Sequence, residues 1–183
     1  MKRERGPQFG KAVMEGAALA DALKEKFKEA VINLELRERR AGIKNEVCGH
    51  DIWLEIPAQS FRSFMENLFA YDFVNFHVIS GDDTGDDVTL SYHLSLFQRD
   101  RGGHIGITAA VKVPKSNLSM PSIYDLLPGS EYSERETREM FGVDFVGLPN
   151  KGLVFLPENW NEEIKPWRRD SEGPTPDIIR ELN

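Results

Sequence analysis

Apolar residues recur at three- and four-residue spacing from Val13 through Ala17, Ala20, Leu23, Phe27 and Ala30, while Lys24, Glu25, Lys28 and Glu29 take the other side. That period predicts an amphipathic first helix lying on a sheet. Residues 31–36 read as a strand, and residues 51–56 as another with Ile52, Leu54 and Ile56 on one face. Pro57 suits the first turn of a helix, and Phe61, Phe64, Met65, Leu68 and Phe69 then form an apolar stripe at helical spacing, which marks core. Residues 88–96 alternate large apolar with small polar side chains over nine positions, the clearest strand in the chain. Ile105, Ile107, Ala109, Val111 and Val113 repeat the period after Gly102-Gly103, a pair that suits a hairpin turn, so these two strands should run antiparallel. Val74, Phe76 and Val78 supply a third strand of the same sheet. The pattern predicts an α+β fold: a mostly antiparallel sheet covered by helices over residues 1–146.

Residues 133–150 crowd paired charges against aromatics. On a helix, Tyr132, Thr137, Met140 and Phe141 share a broad arc, and Glu136 projects into it between Tyr132 and Met140. A carboxylate in apolar surroundings needs a partner. Glu131 with Arg135, Glu134 with Arg138 and Arg135 with Glu139 stand at i,i+4 spacing, each pair worth about 0.2–0.5 kcal/mol, and none of them serves Glu136. Two readings stay open for that residue: an interface carboxylate, or the distal member of a Ser133-x-x-Glu136 capping box. Gly142 is a natural stop, leaving a helix of about two turns that needs packing to persist. Pro149, Pro157, Pro166, Pro174 and Pro176 then punctuate an aperiodic segment, so residues 147–183 read as an extended tail. Phe155, Trp160 and Trp167, with Arg168 and Arg169, are typical interface anchors, which predicts a tail packed on partner subunits; the alternative is a tail folded back on its own domain.

Composition narrows the function classes. At 183 residues one domain can bury about 70% of its unfolded surface without a disulfide or metal. The lone Cys48 excludes an internal disulfide and four-cysteine iron-sulfur ligation by this chain, and reads as a small buried residue. A net charge of −7 argues against nucleic acid. No window holds 18 consecutive apolar residues, so membrane association is expected through partners, with Lys2, Arg3 and Arg5 adding at most about 1 kcal/mol each. The acidic run at residues 81–87 lacks the ligand pattern of a calcium loop and reads as a solvated hairpin turn. His50, His77, His93 and His104 show no zinc spacing, and His93 falls on the polar face of its strand. No phosphate-binding G-x-x-x-x-G-K pattern occurs. An acid/base enzyme using Glu134 and Glu136 fails on geometry, because the two point about 200° apart on a helix. A free-standing binding module is a further alternative.

Glu134-Arg135-Glu136, Met140-Phe141-Gly142-Val143, Phe145, Gly147 and Pro149 resemble the signature of a family of NADH:quinone oxidoreductase subunits, the thirty-kilodalton subunit of respiratory complex I. Tyr92-His93-Leu94, Pro121-Ser122-Ile123 and Pro128 upstream, and Leu156 to Trp160, Pro166, Arg168, Arg169 and Asp170 downstream, extend the resemblance over residues 45–170. Quinone-reducing members usually carry a histidine, a proline and an aspartate followed by two arginines; this chain has Leu148-Pro149-Asn150 and then Lys151-Gly152-Leu153. That tail looks more like the related subunits of membrane-bound hydrogenases and sulfur-reducing complexes. The resemblance implies a non-catalytic subunit in the cytoplasmic arm of a membrane-bound, ion-translocating redox complex. Its implied neighbours are a hydrogenase-like large subunit and a small cluster-bearing subunit. No cofactor would sit in this chain; iron-sulfur clusters, and nickel-iron in the hydrogenase variant, would lie in those partners, with the membrane arm contacted indirectly. The implied interface has Glu134, Arg135, Glu136 and Arg138 as a polar clamp and Tyr132, Phe141 and Phe145 as packing anchors, joined by Trp160, Trp167, Arg168 and Arg169.

Overall fold

The computed structural model describes residues 13–43, 47–98, 103–176, 178 and 179. The basic residues Lys2, Arg3 and Arg5 and most of the turn at 99–103 lie outside them. Helix α1 (Gly16–Phe27) leads into strands β1 (Ile32–Ala41) and β2 (Val47–Glu55), helix α2 (Ala58–Leu68), and the meander β3 (Asn75–Asp83), β4 (Asp87–Leu96) and β5 (Ile105–Pro114). Helix α3 (Glu131–Phe141) follows, flanked by two short strands, β6 (Ser119–Pro121) and β7 (Asp144–Val146), which pair in parallel. The main sheet has the order β1-β2-β5-β4-β3, antiparallel except where β2 runs parallel to β5. Alternation along β2 could not reveal that parallel pairing, which depends on α2 carrying the chain across the sheet.

The core lies on one face of this sheet. Ile52, Leu54, Leu90, Tyr92, Ile107 and Val111 point to the helices, where α1 contributes Leu19 and Leu23 and α2 contributes Phe61, Phe64 and Leu68. Burying each such side chain is worth about 1.5–3 kcal/mol. Phe61 sits 4.2 Å, ring to ring, from Tyr92. At Gly81 a side chain would strike the ring of Phe141, so α3 seats against β3 only because that position has none.

The structure corrects three expectations. The predicted third strand does not keep Val74, Phe76 and Val78 on one side: a register irregularity between Phe76 and Val78 turns Val78 outward, 42% exposed, and brings Ile79, Gly81 and Asp83 inward. Asp83, expected in a solvated turn, is therefore buried. Cys48 is only half-buried, its Sγ 4.0 Å from Nε2 of His50.

Candidate partner-docking surface

Helix α3 spans three turns, one more than its charge pattern suggested, because a 3-10 turn at Pro128–Ser130 feeds directly into it. The Ser133-x-x-Glu136 capping box does not form: Ser133 lies inside the helix, and its carbonyl accepts from the Thr137 hydroxyl at 2.7 Å. Gly142 ends the helix as expected, with φ of 87° and its amide bonded to the Arg138 carbonyl at 2.9 Å.

The expected clamp faces inward. Glu134 is fully buried and accepts from the Ser122 hydroxyl at 2.5 Å, the Ile123 amide at 2.8 Å and the Ser130 hydroxyl at 3.3 Å. Burial raises its pKa, and those hydrogen bonds pull the other way. It braces the loop before α3 and presents nothing to a partner. Phe141 and Phe145 are likewise core residues.

Arg135 and Arg138 turn to the chain's own tail. Arg135 donates to the carbonyls of Gly152 and Leu153, each at 3.0 Å, and Arg138 to that of Lys151 at 2.9 Å. Glu139 completes the set, accepting from the amides of Val154 at 2.8 Å, Phe155 at 3.1 Å and Leu156. Residues 151–156 have no strand partner among the described residues, and three helix side chains meet the backbone groups that a sheet would otherwise satisfy. Of the three predicted i,i+4 pairs, Glu131 with Arg135 forms at 3.5 Å; the other two give way to these contacts.

A second attachment holds residues 167–170. The Trp167 amide bonds to the Met140 carbonyl at 3.1 Å, and its ring meets Phe141 edge-on at 5.4 Å. Arg168 is buried, donating to the Phe141 carbonyl at 3.2 Å and to Asp170 at 2.5 Å. Asp83 accepts from Lys115 and from the Arg169 amide, each near 2.8 Å, while Lys115 also reaches Asp170 at 2.6 Å. Arg168 and Lys115 hold the Asp170 carboxyl well below the ordinary carboxylate range. Orphan backbone groups and buried charges thus tie residues 151–170 to their own domain. Asp83, Lys115 and Glu139 went unnoticed as tail anchors, because alternation and helical spacing say nothing about a segment 15 to 86 residues away.

Other members remain outward. Tyr132 is 67% exposed on α3, and Phe155 and Trp167 are 64% and 47% exposed on the tail that α3 holds. Trp160 is half-buried, its indole donating to the Ile164 carbonyl at 2.9 Å. Arg169 reaches outward to Asp82 at 3.0 Å. Glu136 is half-buried and makes no hydrogen bond or ion pair with any other described residue; burial, then the neighbouring Glu139, raises its pKa. Among the described residues no three His, Cys, Asp or Glu side chains are grouped as a metal ion requires, and no helix is long and apolar enough to cross a membrane.

Residues 54–177 match the family described as respiratory-chain NADH dehydrogenase, 30 Kd subunit. The chain is 29% identical over 163 residues to the membrane-bound hydrogenase subunit beta of Pyrococcus furiosus, covering 88% of this chain and 91% of that one. It is 38% identical over 108 residues to an NADH-quinone oxidoreductase subunit of Roseiflexus castenholzii, covering 58% of this chain and 53% of that relative. Its fold is that of a chain in the archaeal membrane-bound sulfane sulfur reductase, with a TM-score of 0.65 over 85% of this chain and 84% of that one, at 19% identity. With a family match over two thirds of its length and the matching fold, the chain belongs to the respiratory-chain NADH dehydrogenase 30 Kd subunit family.

Proposed function

We propose that this chain is a structural, non-catalytic subunit of a membrane-bound redox complex of the hydrogenase or sulfur-reductase type. It docks on its partners through Tyr132, Phe155 and Trp167. The observation that carries the reading is the way those aromatics are mounted: one stands on α3 and two on a backbone that α3 and β3 fix at 151–156 and 167–170. Large exposed aromatics on a pre-organised backbone bind at a reduced ordering cost, and they are the side chains that dominate interface energies. Glu136, half-buried beside Tyr132 and without a side-chain partner among the described residues, would gain a cation from a partner subunit.

The hydrogenase-type reading rests on a relative matched almost end to end, whereas the NADH-quinone oxidoreductase relative is matched over about half its length. The altered Leu148-Pro149-Asn150 segment agrees with it. In this reading the surface meets a hydrogenase-like large subunit and a small cluster-bearing subunit on the cytoplasmic side of the membrane. The redox centres belong to those partners, since this chain has one cysteine where an iron-sulfur cluster needs about four. The higher local identity to the NADH-quinone oxidoreductase relative favours a second reading, a subunit of an NADH/quinone-type complex. Mass spectrometry of the co-purifying subunits separates the two.

Replacing Tyr132, Phe155 and Trp167 together by alanine should leave the isolated chain folded, with a lower melting point because the edge-on contact of Trp167 with Phe141 is lost, and strip the chain from the affinity-purified complex. Stoichiometric retention of the triple variant would refute the docking surface.

A further inference from the structure

The five-stranded sheet ends in two unlike edges, β1 and β3. Strand β1 carries Arg37, Glu38, Arg39 and Arg40 in succession, charges of the kind that deter a further strand from pairing. Strand β3 has no Lys, Arg, Asp, Glu or Pro over residues 76–81, and its irregularity falls before Val78, which leaves residues 78–82 as a regular ladder. The hairpin at the end of that ladder fixes its phase. The Thr84 amide bonds to the Asp87 carbonyl at 3.0 Å, and hydrogen-bonded and non-bonded pairs alternate from there along an antiparallel pair of strands. Asp82, Ser80 and Val78 therefore exchange bonds with Thr89, Ser91 and His93 of β4, while Asp83, Gly81 and Ile79 turn their amides and carbonyls to the outside of the sheet. The Asp83 carbonyl agrees with this phase, since it accepts from Nη1 of Arg169 at 3.2 Å. No described residue bonds to the outward backbone groups of Gly81 or Ile79.

A cleft of about 330 Å³ opens beside this stretch, between residues 81–83 of the strand and residues 166–169 of the tail, with Phe141 and Trp167 supplying ring surface. Its charges are already matched. Asp82 meets Arg169 at 3.0 Å, Asp83 meets Lys115 at 2.7 Å, and Arg168 meets Asp170 at 2.5 Å, so an uncharged side chain is what the cleft can take at least cost. Two amides and two carbonyls, those of Ile79 and Gly81, thus stand in a row beside an aromatic cleft. Main-chain groups along a sheet edge supply affinity for an added strand, and pockets beside the edge select its alternate side chains. An edge of this kind, uncharged and regular, is one that pairs with another chain unless something covers it.

We infer that the edge of β3 takes an extended segment of a partner subunit as an added strand, whose backbone bonds to Ile79 and Gly81 and whose aliphatic or aromatic side chain enters the cleft at Phe141 and Trp167. The inference rests on the reading that the chain docks on partner subunits, and it adds a main-chain contact to the aromatic one. Amide hydrogen exchange resolved to single residues is measured on the whole isolated chain and on the purified native complex. In the isolated chain the amides of Val78, Ser80 and Asp82 should be slow and those of Ile79 and Gly81 about a hundredfold faster; in the complex the latter two should slow by about that factor. A photo-crosslinking residue at Ser80, whose side chain is exposed beside the edge, should join one segment of another subunit that contains an aliphatic or aromatic residue. Fast exchange at Ile79 and Gly81 in the complex would overturn the inference. So would slow exchange there in the isolated chain, a crosslink confined to this chain, or a joined segment of charged and small polar residues alone. A complex that assembles while Ile79 and Gly81 stay fast spares the docking reading; a chain that co-purifies with no other subunit removes both.

Discussion

Glu139 accepts from three consecutive amides at 154–156, so Glu139→Ala leaves part-buried donors without an acceptor. Its cost should be about 2–3 kcal/mol, read from the urea midpoint of the isolated chain. Glu136, one turn earlier, has no side-chain partner among the described residues; Glu136→Ala should stay within about 0.5 kcal/mol of wild type. Reversed magnitudes would return Glu136 to the structural role that a capping box would give it. Helical spacing exposed Glu136 as the odd carboxylate in an apolar arc, and its side chain has no partner among the described residues. The same spacing paired Glu139 with Arg135, yet both prefer backbone groups of the tail, because an exposed i,i+4 ion pair is worth less than satisfying orphan amides and carbonyls.

At the scale of elements, the tail segment 167–170 hangs on carboxylates whose pKa values are depressed in the folded chain. Asp170 is lowered by Arg168 and Lys115; at Asp83, burial raises the pKa but Lys115 and the Arg169 and Gly85 amides outweigh it. Groups lowered on folding stabilise at pH above their unfolded value of 3.8, and that contribution is lost as pH falls below it. Acid should therefore release this segment before the sheet melts, seen as a rise in Trp167 mobility by fluorescence anisotropy in a chain whose other tryptophans are phenylalanine. A single transition at every probe would contradict the ordering. Alternation located β4 and β5 because each strand has one wet face, and it placed Ile52, Leu54 and Ile56 correctly. It misassigned Val78, since a bulge inverts the phase after Phe76 and leaves no mark in composition.

For the whole molecule, the α+β class, the helix-covered sheet and the family were legible, the last through a motif that clusters on α3. The function of that motif within the chain was not, because its charges could serve a partner or the chain's own backbone with equal local logic. Glu134, Arg135 and Arg138 brace the domain and its tail, and the surface proposed for assembly is aromatic: Tyr132, Phe155 and Trp167. The most direct test is hydrogen exchange at residues 151–156 in the isolated chain and again in the assembled complex. The amides of Val154, Phe155 and Leu156 should be protected already in isolation and change little on assembly. Fast exchange in isolation, with protection appearing only in the complex, would contradict the account and give the tail back to the partners.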